Sequence, residues 1–152
     1  MADIFTPEKR SYVMSRIRSR GTKPELRMRD LLRQSGLKFK MHPKLPGTPD
    51  FLVGGRIAVF VNGDFWHGWD YRNGRIPRQK YWRDKIEGNM ARDRRVRRKL
   101  RYQGYSVLNF WEHQIKKRGQ HCVGRIMAKA TFLGVKNSQK RAKTGVFEQK
   151  GS

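Results

Sequence analysis

Four groups able to hold a metal or move a proton, Asp50, Asp64, His67 and Asp70, fall within the stretch 46–70, PGTPDFLVGGRIAVFVNGDFWHGWD. Hydrolysis of a phosphodiester asks for such a set. Carboxylates hold Mg²⁺ against the charge developing on phosphate, and a base takes a proton from water. Histidine exchanges protons near neutral pH without tuning, so His67 is the natural base. Each residue alone has a plainer account, since aspartates at strand ends are common and a loop histidine often only completes local hydrogen bonds. Their convergence is what points to hydrolytic chemistry.

The elements around these residues bring them together. Asp50 follows Pro49 at the head of the apolar run Phe51-Leu52-Val53, and Asp64 follows a second apolar run, 56–61. Gly54-Gly55 can reverse the chain in two residues and lay one run on the other as a hairpin. Asp50 and the end of the second strand, 61–64, then stand side by side, and a backbone carbonyl near Val61 can complete a metal shell. The loop beyond carries Phe65, Trp66 and Trp69. Strand ends feeding polar loops are where rigid scaffolds hold reactive groups.

The rest of the chain supplies helices. Thr6-Pro7 opens a basic helix over about 6–18, and Arg16, Arg20 and Lys23 make this arm suited to a DNA backbone or, equally, to covering a sheet edge in solvent. Thr22-Lys23-Pro24-Glu25 fits a capping box, which by itself accounts for Glu25 as a structural residue, and that helix ends near Ser35-Gly36. A strand over 37–41 is broken by His42-Pro43. After a polar loop at 71–77, a helix spans about 78–103. Its apolar residues are sparse, and its seven cations between Arg92 and Arg101 occupy more than one face. A buried strand over 105–110 and a helix over 120–132 follow, then a polar, basic segment with the composition of disorder. This order predicts one mixed α/β domain over 1–135, a central sheet flanked by helices, with a basic tail at 136–152.

Charge names the partner class. The chain has 36 Lys and Arg against 12 Asp and Glu, a net +24. The tail carries +4 of this, which leaves +20 on the body, so the basicity belongs to the domain itself. Phosphates are the partner that such a surface fits. No apolar stretch nears the roughly 20 residues needed to cross a bilayer, and the N-terminus lacks the apolar core of a signal peptide. The single cysteine, Cys122, excludes an internal disulfide and suits a reducing cytosol, so a cytoplasmic protein with no membrane partner is expected.

In order along about 6–118 stand Thr22-x-x-Glu25, Pro46-Gly47-x-Pro49-Asp50-Phe51, Val59-Phe60-x-x-Gly63-x-Phe65-Trp66-His67, Tyr81-Trp82, Lys85-Ile86, Asn89, Arg92-Asp93 and Val107-Leu108-x-x-Trp111-Glu112. This series resembles the very short patch repair endonucleases, Mg²⁺-dependent enzymes of the restriction-endonuclease-like fold that nick DNA beside a T·G mismatch. The resemblance implies double-stranded DNA as partner and Mg²⁺ (or Mn²⁺) as cofactor, held by Asp50 and the Val61 carbonyl. It makes His67 the general base and brings Glu25 to the site beside its capping role. It also implies that Phe65, Trp66 and Trp82, with Tyr81 adjacent, wedge into the base stack, where planar side chains replace the stacking they break. Arg94, Arg97, Arg98 and Arg101 are the expected phosphate contacts.

The departures matter as well. The mismatch enzymes build a zinc site around this loop from cysteines and a histidine. Here those positions are Asp64, Trp69, Asp70-Tyr71 and the region of His113, so no structural zinc is expected. Asn62 stands where those enzymes carry a further catalytic histidine. Asp64 and Asp70 are added acids, each either a metal ligand or a partner orienting His67 through its other nitrogen. Phe60-Val61-Asn62 lacks the Glu-x-Lys of common restriction sites, which makes His67 more necessary. The pattern is similar to a zinc-free branch that includes some homing endonucleases of introns and inteins. Three functions are therefore expected in order: a repair-type nicking or cleaving enzyme, a mobile-element nuclease with the same site, and a basic nucleic-acid-binding module without chemistry.

Overall fold

The computed structural model describes residues 21–135. The expected helix at 6–18, with Arg16 and Arg20, and the tail at 136–152 lie outside the described residues. Helix α1 (Lys23–Ser35) opens on Thr22, whose side-chain oxygen accepts the Glu25 N–H at 3.4 Å, and closes on Gly36 at φ 78. Strands β1 (Phe39–Met41), β2 (Phe51–Val53) and β3 (Ile57–Asn62) form an antiparallel meander. Gly54 and Gly55, at φ 60 and 72, make the β2–β3 reversal: the Arg56 N–H donates to the Val53 carbonyl at 3.1 Å across them, and since Val53 pairs with Ile57 the loop has three residues where the sequence suggests two.

Beyond β3 the chain forms a short helix, α2 (Trp69–Arg72), and then the long helix α3 (Lys80–Tyr102). α3 is the crossover to β4 (Ser106–Trp111), which pairs parallel to β3 with Val61 opposite Phe110. The result is a mixed four-stranded sheet in the order β1-β2-β3-β4 with helices against it, as the element order predicts. Helix α4 (Glu112–Phe132) leaves β4 without a loop.

One core ties α1 and α4 to the sheet. Met28 and Leu32 of α1, Phe51, Ile57, Val59 and Phe110 of the sheet, and Ile115 and Ile126 of α4 are all fully buried in one cluster. Each such side chain stabilises by about 1.5–3 kcal/mol on leaving water. Ala58, also buried, points to the opposite face of β3, and the buried Trp82, Ile86 and Leu100 of α3 lie outside the α1–α4 cluster.

Helix α4 begins at Glu112 and not near 120. The basic run Lys116-Lys117-Arg118-Gly119 reads as a loop, yet Ile115 and Gly119 are buried. The Gln114 side chain caps the start by accepting the Trp111 N–H at 3.0 Å. Arg118, at φ −137 and ψ 47, kinks the helix, so no unbroken helical period spans it. Among the described residues no helix is long and apolar enough to cross a membrane.

Candidate active site

Asp50 is fixed by the two strands that flank it. Its N–H donates to the Val59 carbonyl at 3.0 Å, and its Oδ2 accepts the Val61 N–H at 2.6 Å. Burial pushes the Asp50 carboxyl up from its ordinary 3.8 to about 7; the Val61 N–H opposes the rise and the neighbouring Glu25 adds to it. Glu25 is 1% exposed in the first turn of α1. One of its oxygens accepts the Gly21 N–H and the other meets His42 Nε2, so the buried carboxylate is doubly partnered. A capping glutamate and a site glutamate are therefore the same residue in two contacts.

Ligand atoms of Glu25, His42 and Asp50 lie within 4.8 Å of one another. Ligands of a six-coordinate ion with bonds of about 2.1 Å stand roughly 3–4.2 Å apart, so with small side-chain shifts two oxygens and one nitrogen gathered this closely could hold a divalent cation. Two carboxylates brought together in a buried corner also favour a cation between them.

His67 reaches the same cleft from the loop after β3. Its Nδ1 is 2.8 Å from Asp93 Oδ2 on α3. A carboxylate only accepts, so the proton sits on Nδ1 and Nε2 presents its lone pair. The loop is pinned to α3 by the Asn89 side chain, which donates to the Trp66 carbonyl at 3.0 Å. Gly68 sits at φ 93 so close to α3 that a Cβ there would lie 2.5 Å from Met90 Sδ. Gly47, before Asp50, makes the same approach, with a Cβ falling 2.3 Å from Val96 Cγ1. The cleft of about 900 Å³ between these loops is lined by Asp50, Val61, His67, Lys85, Asn89 and Arg97, among others.

An aromatic column borders the cleft. Phe65 meets Trp66 edge-on at 4.6 Å, Trp66 lies 5.6 Å from Trp82, and Trp82 is 4.8 Å from Tyr81. Trp82 is 8% exposed, so it is the buried footing of the column and not a wedge of its own, while Phe65 and Trp66 line the cleft. On α3, Arg97 is half-buried at the cleft, and burial lowers its proton affinity ahead of the like charges around it. Arg94, Arg98 and Arg101 are exposed, as is Lys23 at the head of α1.

The sequence matches the profile of the family described as DNA mismatch endonuclease Vsr over residues 2–73. A type II nicking enzyme of Xanthomonas oryzae pv. oryzae is 42% identical over 123 residues, which cover 78% of this chain and 90% of that one. The chain belongs to the Vsr family of DNA endonucleases. The DNA mismatch endonuclease Vsr of Escherichia coli is 38% identical over 122 residues, 78% of each chain. In fold, the catalytic domain of a homing endonuclease aligns with a TM-score of 0.53 at 22% identity, covering 74% of this chain and 97% of that one. The Vsr-family chain thus has the restriction-endonuclease-like α/β fold.

Several expected contacts are made by other residues. Neither Asp64 nor Asp70 orients His67; Asp93 does, because the loop folds onto α3. Asp64 is drawn to the start of α4, where its Oδ1 meets His113 Nδ1 at 2.9 Å and its N–H donates to Glu112 Oε1 at 2.7 Å. That contact leaves Asp64 outside the Glu25–His42–Asp50 group. Asp70 pairs with Arg75 at 2.7 Å. Asn62 is buried beside the cleft, its Nδ2 donating to Asn109 Oδ1 at 3.3 Å. Around the positions that hold zinc in the mismatch enzymes, the Trp69 ring lies 4.5 Å from His113 and 5.5 Å from Trp111.

Sequence reasoning missed His42 and Asp93. His42 was legible only through strand register: Met41 opposite Phe51 puts His42 opposite Asp50. Asp93 sits in an arginine run, where charge alone reads as a solvated helix face.

Proposed function

We propose that this chain is a divalent-metal-dependent endonuclease that hydrolyses a phosphodiester bond in double-stranded DNA and cuts one strand. The observation that carries the reading is the meeting, in one cleft, of Asp50, backed by the buried Glu25, with a histidine whose Nδ1 is tied to Asp93. Asp50, with Glu25 beside it and the Val61 carbonyl near, would hold the ion. When bound, Mg²⁺ supplies Lewis-acid stabilisation of the charge that develops on the phosphate oxygens. His67 Nε2 takes the proton of the attacking water as its oxygen bonds to phosphorus and the opposite P–O bond breaks. Asp93 keeps the ring in the accepting tautomer and stabilises the imidazolium that forms.

The duplex is held by charge and opened by rings. Exposed arginines of α3 neutralise backbone phosphates without reading sequence. Phe65 and Trp66, footed on Trp82, enter the base stack next to the target, which is easiest where pairing is already weak. That favours a T·G mismatch as substrate, in keeping with one relative's name, DNA mismatch endonuclease, while the cut of a single strand is in keeping with another's, nicking enzyme. The test is conversion of supercoiled plasmid to the nicked form with Mg²⁺, with EDTA, and with His67→Ala. It is paired with a T·G duplex set against its fully paired counterpart. Nicking only with Mg²⁺ and intact His67, faster on T·G, is expected; equal cleavage in EDTA would refute the metal role, and equal rates on both duplexes would refute the mismatch preference.

A further inference from the structure

Oxygen ligands alone would suffice for a magnesium ion that keeps most of its waters. The cluster beside Asp50 contains a third donor of different chemistry. His42 stands opposite Asp50 because the β1–β2 register continues by one step, and its N–H donates to the Asp50 carbonyl at 3.0 Å. The imidazole reaches the Glu25 carboxylate through Nε2, so without metal the ring proton lies on Nε2; a bound ion would take that proton's place, leaving the ring proton on Nδ1. The backbone there is unusual. His42, at φ 49, and Thr48, at φ 45, are the two non-glycine residues with positive φ among the described residues, and they bracket the turn that delivers Asp50.

We propose that His42 Nε2 is a direct ligand of the catalytic ion, and that this nitrogen makes the site prefer a first-row transition ion such as Mn²⁺ to Mg²⁺. This rests on the metal reading of the cleft given above. The geometric support is that the Nε2 and carboxylate oxygens occupy one ligand-sized volume, within 4.8 Å. The chemical support is that Mg²⁺ surrenders water reluctantly and takes oxygen donors, whereas transition ions accept imidazole readily.

The experiment uses the full chain carrying His67→Ala, which stops cleavage and removes the other histidine lining the cleft, bound to an uncut duplex. Mn²⁺ is titrated by its EPR signal, Mg²⁺ competes for the site, and pulsed EPR reads coupling from a directly bound imidazole ¹⁴N. His42→Asn is added to the same background, since asparagine also enters the left-handed region and keeps the turn; melting without metal checks its fold. Expected are ¹⁴N coupling in the parent, its loss in His42→Asn, and a fall of about tenfold in the Mn²⁺-over-Mg²⁺ preference. Asp50→Asn separates the two readings. If Asp50→Asn weakens Mn²⁺ binding but the parent shows no ¹⁴N coupling, the His42 proposal is overturned and the metal site stands. If Asp50→Asn binds Mn²⁺ as the parent does, or the parent binds none, both are overturned.

Discussion

Asp93→Asn keeps the shape of the side chain and removes its charge, so it isolates the contact that orients His67. The two side chains are 28% and 20% exposed and meet at 2.8 Å. A hydrogen bond to a charged group contributes about 1.5–3 kcal/mol, and at about 1.4 kcal/mol per decade its loss slows the chemical step about 10- to 150-fold. Asparagine can also present its NH₂ to Nδ1, which moves the ring proton to Nε2 and removes the acceptor. The ceiling is then the whole general-base contribution, about 10²–10⁴-fold. The expected loss therefore exceeds tenfold and goes no deeper than that of His67→Ala. Single-turnover cleavage of a labelled duplex at saturating enzyme reads it, with fluorescence anisotropy showing unchanged DNA affinity. The double variant decides the mechanism. If Asp93 acts through His67, Asp93→Asn added to His67→Ala costs nothing further. Two full losses that multiply, or a wild-type rate for Asp93→Asn alone, would refute the reasoning.

Three further outcomes follow from the same geometry. Because the Asp50 carboxyl is raised from 3.8 to about 7, the metal-free folded state holds a proton that the unfolded chain releases, so this group's contribution to stability is full below 3.8 and is lost as pH rises to about 7. Asp50→Asn should flatten that decline in melting temperature measured in EDTA; an unchanged pH slope would contradict it. Replacing exposed Arg94, Arg98 and Arg101 together by Ala should weaken binding alike for every duplex and reduce the log–log salt slope by about 0.9 per lost phosphate contact. A sequence-selective loss would instead assign these residues to base readout. Trp66→Ala should reduce cleavage by about 1–3 kcal/mol of lost stacking while nonspecific affinity changes little. An unchanged cleavage rate would return Trp66 to a packing role.

The hairpin that carries Asp50 was legible because its signals are local. Two apolar runs, a Gly54-Gly55 reversal and the Pro49-Asp50 head are enough to set Asp50 beside Val61. His42 was not, because the residues between Met41 and Phe51 carry no period from which to count the β1–β2 register. Glu25 illustrates a different limit. Its capping pattern is a complete local explanation, and only the tertiary contact with His42 shows that one carboxylate serves two elements. Asp64 and Asp70 were the obvious acids by proximity to His67 in sequence. The fold turned them toward His113 and Arg75 and brought Asp93 from a helix twenty-six positions away. The early start of α4 was hidden by its charges, since burial of Ile115 and Gly119 is a property of the α1–α4 contact and not of the segment.

On the proposed mechanism, helix α3 joins several parts that must be aligned: Asp93 holds His67, Asn89 and Met90 seat the aromatic loop, Val96 lies under Gly47 in the turn before Asp50, and exposed arginines stand on the same rod. Grip and blade are thus machined into one part. A duplex that seats this helix askew would still be held by its phosphates, yet it would tilt the base away from the metal corner. Discrimination between right and wrong DNA would then be written in turnover more than in affinity, and a tight-binding, uncut duplex is the natural by-product of such a tool.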